Sequence, residues 1–239
     1  MFARFAAAVL ALGLLGAGSP SVEQAGRTRA AIVLPDGAPA GSIILIPGGS
    51  TQQRIDARGG TDVGGNFVMR VRASFVDAGF AIAYLEDPGD LRGAIARMRL
   101  IARPVFLLAT SRGTTVAARN AAVLGSDGPD GIVLTSTVTE SSRRYPDSAA
   151  DIDFRRVAVP VLFVHNRNDR CSSSPPSGVA PLIARLPKDA DVTRIDVASD
   201  RITGDPCEPF SPHGYLGIES DVVAKIVAWM HEHGAKGTS

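Results

Sequence analysis

Short apolar runs of strand length alternate along this chain with Ala- and Arg-rich stretches of helical spacing, and no other feature of the sequence narrows the fold as far. Residues 41–46 (GSIILI), 80–85 (FAIAYL), 104–109 (PVFLLA), 131–136 (GIVLTS) and 159–165 (VPVLFVH) are close to continuously apolar. A strand wet on one face alternates polar and apolar residues, so runs like these belong to a sheet covered on both faces. Between them, residues 66–77 place Phe67, Val68, Val71 and Phe75 at helical spacing, with Asn66 suited to the N-cap and Gly79 to the stop. Residues 90–101 and 114–124 repeat the helical pattern. Residues 30–34 read as an edge strand, 179–186 as a helix and 192–198 as a strand. Residues 221–233 read as a closing amphipathic helix whose Trp229 faces the core. The order predicts an α/β fold, a mostly parallel central sheet with helices on both faces. The stretch between residues 136 and 159 is too short for a large cap domain.

The N-terminus has a different logic. Arg4 precedes the apolar run 6–15, which ends in Gly16, Ala17, Gly18 and Ser19. A charged start, a short apolar middle and a small-residue zone make a secretory signal, and the middle is shorter than the roughly 20 residues a membrane span needs. We therefore expect residues 1–23 to be a leader, residues 24–239 to be one domain, and the mature protein to be periplasmic or secreted with no membrane span. Export gives the two cysteines, Cys171 and Cys207, an oxidising setting, which favours a bridge between them over two buried thiols. With 45% hydrophobic and 21% charged residues there is enough apolar side chain for a core. A net charge of +1 with scattered basic residues argues against nucleic acid as a partner.

The chemistry concentrates at three places. In Leu107-Leu108-Ala109-Thr110-Ser111-Arg112-Gly113 a buried strand ends at a serine and a helix starts at once, so the hydroxyl stands clear on a sharp turn and the next N–H points to the helix's positive end. The strand 159–165 runs into Asn166-Arg167-Asn168-Asp169, and the last strand is followed by Pro212-His213-Gly214-Tyr215 in a loop before the closing helix. A fourth segment, Pro47-Gly48-Gly49-Ser50, ends the 41–46 strand with residues small enough to let backbone N–H groups approach a ligand. It lacks the Lys of a phosphate-binding loop and the spacing of a dinucleotide loop. The cysteines and histidines do not have zinc-site spacing, so we expect no metal.

These segments resemble the α/β-hydrolase superfamily, whose elbow is usually Gly-x-Ser-x-Gly; here the first glycine is Ala109. The resemblance covers nearly the whole mature chain and implies the superfamily's order of nucleophile, acid and base. It assigns Ser111 as nucleophile, Asp169 as acid and His213 as general base, with Glu140 a second candidate for the acid. It also assigns the N–H groups of Arg112 and Gly49 to an oxyanion hole. The two cysteines, two residues past the acid and six before the base, would then tie those loops together. His165 is read as structural, and His231 and His233 as charge near the end of a helix. Arg54, Arg58 and the Arg112 side chain are read as solvated. The implied activity is hydrolysis of carboxylic esters, small or polymeric, at a shallow site like those of cutinase-type or dienelactone-hydrolase-type members, with no cofactor. Hydrolysis of a thioester, peptide or lactone, and a binding module without catalysis, are the alternatives.

Overall fold

The computed structural model describes residues 18–142 and 146–236. The elements follow in the order β1 (Ser21–Ala25), β2 (Thr28–Val33), β3 (Gly41–Ile46), α1 (Phe67–Arg70), α2 (Arg72–Asp77), β4 (Phe80–Leu85), α3 (Arg92–Arg99) and β5 (Val105–Thr110). They continue with α4 (Gly113–Val123), β6 (Gly131–Thr135), β7 (Val161–Asn166), α5 (Val179–Ile183), β8 (Val192–Val197) and α6 (Glu219–Lys236).

The eight strands form one sheet in the order β1-β2-β4-β3-β5-β6-β7-β8. From β4 to β8 every pairing is parallel, and only β2 runs against its neighbours β1 and β4. The apolar runs explain themselves here. Successive side chains of a strand point to opposite faces, so a continuously apolar strand feeds two cores at once. On β5, Leu107 and Ala109 enter one core while Phe106 and Leu108 enter the other. The first core is closed by Ala94, Ile95 and Met98 of α3, by the alanines of α4 and by Val179 and Leu182 of α5. The second is closed by Phe67, Val68 and Phe75 of α1 and α2 and by Val222, Ile226 and Trp229 of α6. No large cap lies over the sheet: among the described residues, the chain from β6 to β7 forms only two 3-10 turns.

Three local expectations change. Residues 28–33 are not the edge of the sheet, because β1 pairs outside them, Ser21 opposite Ile32 and Glu23 opposite Ala30. Residues 21–23, placed ahead of the domain by the sequence reading, thus belong to its outermost strand; the whole apolar stretch of the expected leader, residues 6–15, lies outside the described residues. The helix expected over 66–77 is two short helices bent at Val71 (φ −99°, ψ 7°). Phe67, Val68 and Met69 are all buried in succession, more than one face of a straight helix accommodates, and the bend lets Phe75 still reach the sheet. Finally, Asn66 precedes α1 but its side chain makes no capping bond.

Candidate active site

β5 is buried along its whole length and delivers Ser111 to the carboxyl edge of the sheet, where ligands of open α/β folds collect. The chain reverses at Ser111 with φ +52°, a left-handed conformation that a side chain disfavours. Neighbouring groups hold it there. The Ser111 N–H donates to Thr135 O at 3.0 Å, and Ser111 O accepts from the Thr114 N–H at 2.9 Å and the Thr114 hydroxyl at 2.6 Å. Two residues on, a Cβ at Gly113 would lie 2.5 Å from Ile46 O and 2.6 Å from Pro47 O, so only glycine lets α4 start against the end of β3. The crowding at this glycine therefore comes from the neighbouring strand, not from β5 itself.

That same strand end carries the glycine loop. Gly48 packs so near the serine that a Cβ on it would lie 2.8 Å from Ser111 Cβ. Gly49 has φ +70°, which glycine adopts without strain. Among the described residues its N–H has no hydrogen-bond partner. The Arg112 guanidinium, expected to be solvated, instead donates to Gly49 O at 2.8 Å and ties the loop to the elbow. The two residues assigned to the oxyanion hole thus stand side by side. Arg54 pairs with Asp62 at 3.2 Å and its side chain is largely exposed, as expected.

Asp169 and His213, the residues assigned as acid and base, come from the other half of the sheet. At the end of β7 the chain turns so that the Asp169 N–H donates to Asn166 O at 3.0 Å. Asp169 Oδ1 accepts from the Cys171 N–H at 2.9 Å, and Oδ2 meets His213 Nδ1 at 2.8 Å. Both side chains are buried. An ionised carboxylate only accepts, so Nδ1 carries the proton and Nε2 presents its lone pair. Nε2 is buried and makes no hydrogen bond, so the structure does not join it to Ser111. Ser111 and His213 do line one cavity of about 560 Å³, together with Gly48, Gly49, Asn66 and Cys171. Glu140, the other candidate for the acid, is exposed and does not meet the imidazole.

Several residues that the sequence reading passed over hold this arrangement in place. The Asn166 amide makes four hydrogen bonds: Nδ2 donates to Ser199 O at 3.0 Å and Pro212 O at 3.1 Å, and Oδ1 accepts from the N–H groups of Asn168 at 3.0 Å and Ser199 at 3.2 Å. One buried side chain thereby joins the acid turn, the loop after β8 and the residue before the base. The Ser136 hydroxyl donates to His213 O at 2.7 Å, while the Tyr215 phenol donates to Val164 O at 2.7 Å and accepts from the Ser136 N–H at 3.0 Å. Burial pushes the Tyr215 phenol upward, so it stays protonated. From the other side, Arg70 donates to Gly65 O at 2.5 Å and Gly214 O at 2.8 Å and pairs with Glu219 at 3.0 Å. Cys171 and Cys207 form a disulfide with Cα atoms 4.5 Å apart, linking the acid loop to the chain leading to His213. No local pattern marks these residues, because each acts on a partner far along the chain.

The remaining histidines sit apart from the reaction. His165 is fully buried and its Nε2 accepts from the Thr137 N–H at 2.9 Å. Burial, aided by the nearby His213, pushes its pKa down to about 3, so the ring stays neutral at ordinary pH. His233 is not a solvent-facing charge: α6 runs on through Lys236, and the ring is buried, 4.1 Å from the Trp229 ring and with Nδ1 2.7 Å from Trp229 O. Trp229 itself is core, and its Nε1 donates to Thr193 Oγ1 at 3.2 Å. Among the described residues no helix is long and apolar enough to cross a membrane.

No family model matches the sequence, and no curated protein matches it. Solved structures do match. A sugar hydrolase from Lactococcus lactis aligns over 92% of this chain and 100% of its own, with TM-score 0.64 and 15% identity. An alpha/beta hydrolase enzyme from a Medee basin deep-sea metagenome library aligns over 90% and 99%, with TM-score 0.60 and 14% identity. A carboxyl esterase from Bacillus coagulans aligns over 92% and 100%, with TM-score 0.57 and 11% identity. The strand order, the serine at the strand-to-helix reversal and these full-length structural matches agree: the chain has the α/β-hydrolase fold.

Proposed function

We propose that this protein is a serine hydrolase that cleaves carboxylic esters through an acyl-serine intermediate. The observation that carries the reading is the buried Asp169–His213 bond beside a cavity that His213 and Ser111 both line. Ser111 Oγ attacks the ester carbonyl carbon while its proton passes to His213 Nε2, and Asp169 stabilises the imidazolium. The oxygen that becomes negative is received by the N–H groups of Gly49 and Arg112. Collapse breaks the bond to the alcohol oxygen, which leaves with the proton from Nε2. Water then attacks the acyl-serine, again giving a proton to Nε2, and the acid and free serine are released. The hydrogen bond from serine to imidazole, absent in this structure, forms as substrate orders the serine rotamer, a tightening common to hydrolase sites.

The carboxyl esterase among the structural matches supports this choice of bond, and the exposed loops around the cavity suit a shallow, lidless site. The leader pattern at the N-terminus and the Cys171–Cys207 bridge support export to the periplasm or beyond. A fluorophosphonate probe at neutral pH is expected to label Ser111 in the wild type and to leave Ser111→Ala unmodified. Short p-nitrophenyl esters are expected to turn over faster than matched thioesters or peptides. Labelling without ester turnover moves the reaction to another acyl bond, and absence of labelling favours a binding module.

A further inference from the structure

Asn66 stands in the wall of the catalytic cavity, its backbone bonded to Val63 and Arg70 but its side-chain amide given to no described residue. Its place before α1 suggests a helix cap, yet no capping bond is made. Among the described residues Oδ1 is buried without a partner and Nδ2 donates to no other group. Asn66 thus gives the protein neither its acceptor nor its donor, and the amide is left to a ligand in the cavity it lines. The point where a Cβ on Gly48 would sit is 2.8 Å from Ser111 Cβ and 3.3 Å from Asn66 Nδ2, so the amide and the nucleophile face each other across one glycine. Asn66 and Ser111 line the same cavity, into which an acyl group on the serine would project. Gly49, whose N–H is unpaired among the described residues, lines the same cavity.

We propose that the Asn66 side-chain amide is a third oxyanion donor, its N–H donating to the acyl carbonyl oxygen as that oxygen becomes negative. The inference rests on the serine-hydrolase reading. Ser111 Oγ bonds to the carbonyl carbon, the C=O π pair moves to oxygen, and Asn66 Nδ2–H shares the stabilisation with the N–H groups of Gly49 and Arg112. Donation of this kind acts on the transition state more than on the bound ester, so it appears in kcat rather than in KM.

The test uses three full-length proteins: wild type, Asn66→Ala and Asn66→Asp. The Asp variant has the size and shape of Asn but replaces the donor with an anion. With short p-nitrophenyl esters, Asn66→Ala is expected to lower kcat by about 10²-fold with KM little changed. Asn66→Asp is expected to fall at least about tenfold further, because its charge opposes the oxyanion. The rate of inactivation by a phosphonate ester, whose adduct carries the same oxygen, should fall in parallel while melting temperatures stay together. An Asp variant equal to or faster than the Ala variant overturns the proposal, and so does an Ala variant that raises KM with kcat unchanged. A wild type that is neither labelled by fluorophosphonate nor active on esters fails the hydrolase reading instead, an outcome separate from any difference among the variants.

Discussion

The two halves of the site are held by different forces. On the side of the assigned nucleophile, Ser111, Gly113 and the glycine loop are set by close packing between adjacent parallel strands and by local hydrogen bonds: β5 leads into the elbow, β3 leads through Pro47 into Gly48 and Gly49, and backbone oxygens of Ile46 and Pro47 leave room for nothing larger than glycine at position 113. On the side of the assigned acid and base, Asp169 and His213 are 44 residues apart, on loops that only long-range bonds bring together. Those bonds are the Asn166 amide, the Ser136–Tyr215 pair, the Arg70 clamp and the disulfide. Close packing and short-range hydrogen bonds within neighbouring segments make the elbow, whereas two long loops lose more conformational freedom on folding and depend on polar and covalent ties between distant segments.

The sharpest break of this comparison is chemical. Asp169→Asn keeps the shape of the acid but leaves the wrong imidazole tautomer, and kcat is expected to fall about 10⁴-fold with little change in melting temperature. If activity survives and Glu140→Gln abolishes it instead, the acid has been misassigned. Next comes the elbow. Gly113→Val drives side-chain atoms into the Ile46 and Pro47 carbonyls and is expected to cost about 4–5 kcal/mol, read as loss of a cooperative thermal transition near the wild-type temperature. A folded, active Val variant would show that packing does not fix this half.

Removing the bridge with Cys171→Ser and Cys207→Ser releases a 36-residue loop and is expected to cost about 3–4 kcal/mol, or roughly 10 °C in melting temperature, with a loss of kcat because Asp169 and His213 drift. Unchanged stability and activity would leave the hydrogen bonds as the sufficient tie. The smallest effect is a pH slope. The folded value of about 3 for His165 lies below the ordinary 6.5, so between those values the unfolded chain takes up a proton that the folded chain refuses. Stability is thus complete above about pH 6.5 and is lost as pH falls toward 3, by up to ~1.4 kcal/mol per unit from this ring. His165→Gln is expected to flatten that slope in urea titrations, and an identical slope would assign the acid sensitivity elsewhere.

Much of the nucleophile side was legible in the residues. The run 104–109 predicts β5 almost to the residue, and Ser111-Arg112-Gly113 after it marks the reversal, because strand, turn and helix signals lie within one short segment. The positions of Asp169 and His213 followed from chain order in the resemblance, and the structure joins those two side chains directly. Other readings failed for a consistent reason. Residues 21–23 were set outside the domain because their pairing with β2 is invisible without the sheet. Asn66 looked like a cap because capping is judged from neighbours in sequence, while its amide faces Gly48 across a loop. Arg112 looked solvated and His233 looked like a charge at a helix end because their partners, Gly49 O and the Trp229 ring, are set by how elements pack.

By itself the sequence determined the strand and helix alternation, the two-faced core and the sharp turn at Ser111, since each rests on hydrophobic period, glycine sterics or propensity acting over a few residues. Only the tertiary structure decided which carboxylate meets the imidazole, which polar side chains lock the base loop, and which buried atoms remain unpaired in the cavity. Those outcomes depend on distances between segments far apart along the chain, and such distances exist only once the sheet has assembled and its loops have closed over one edge.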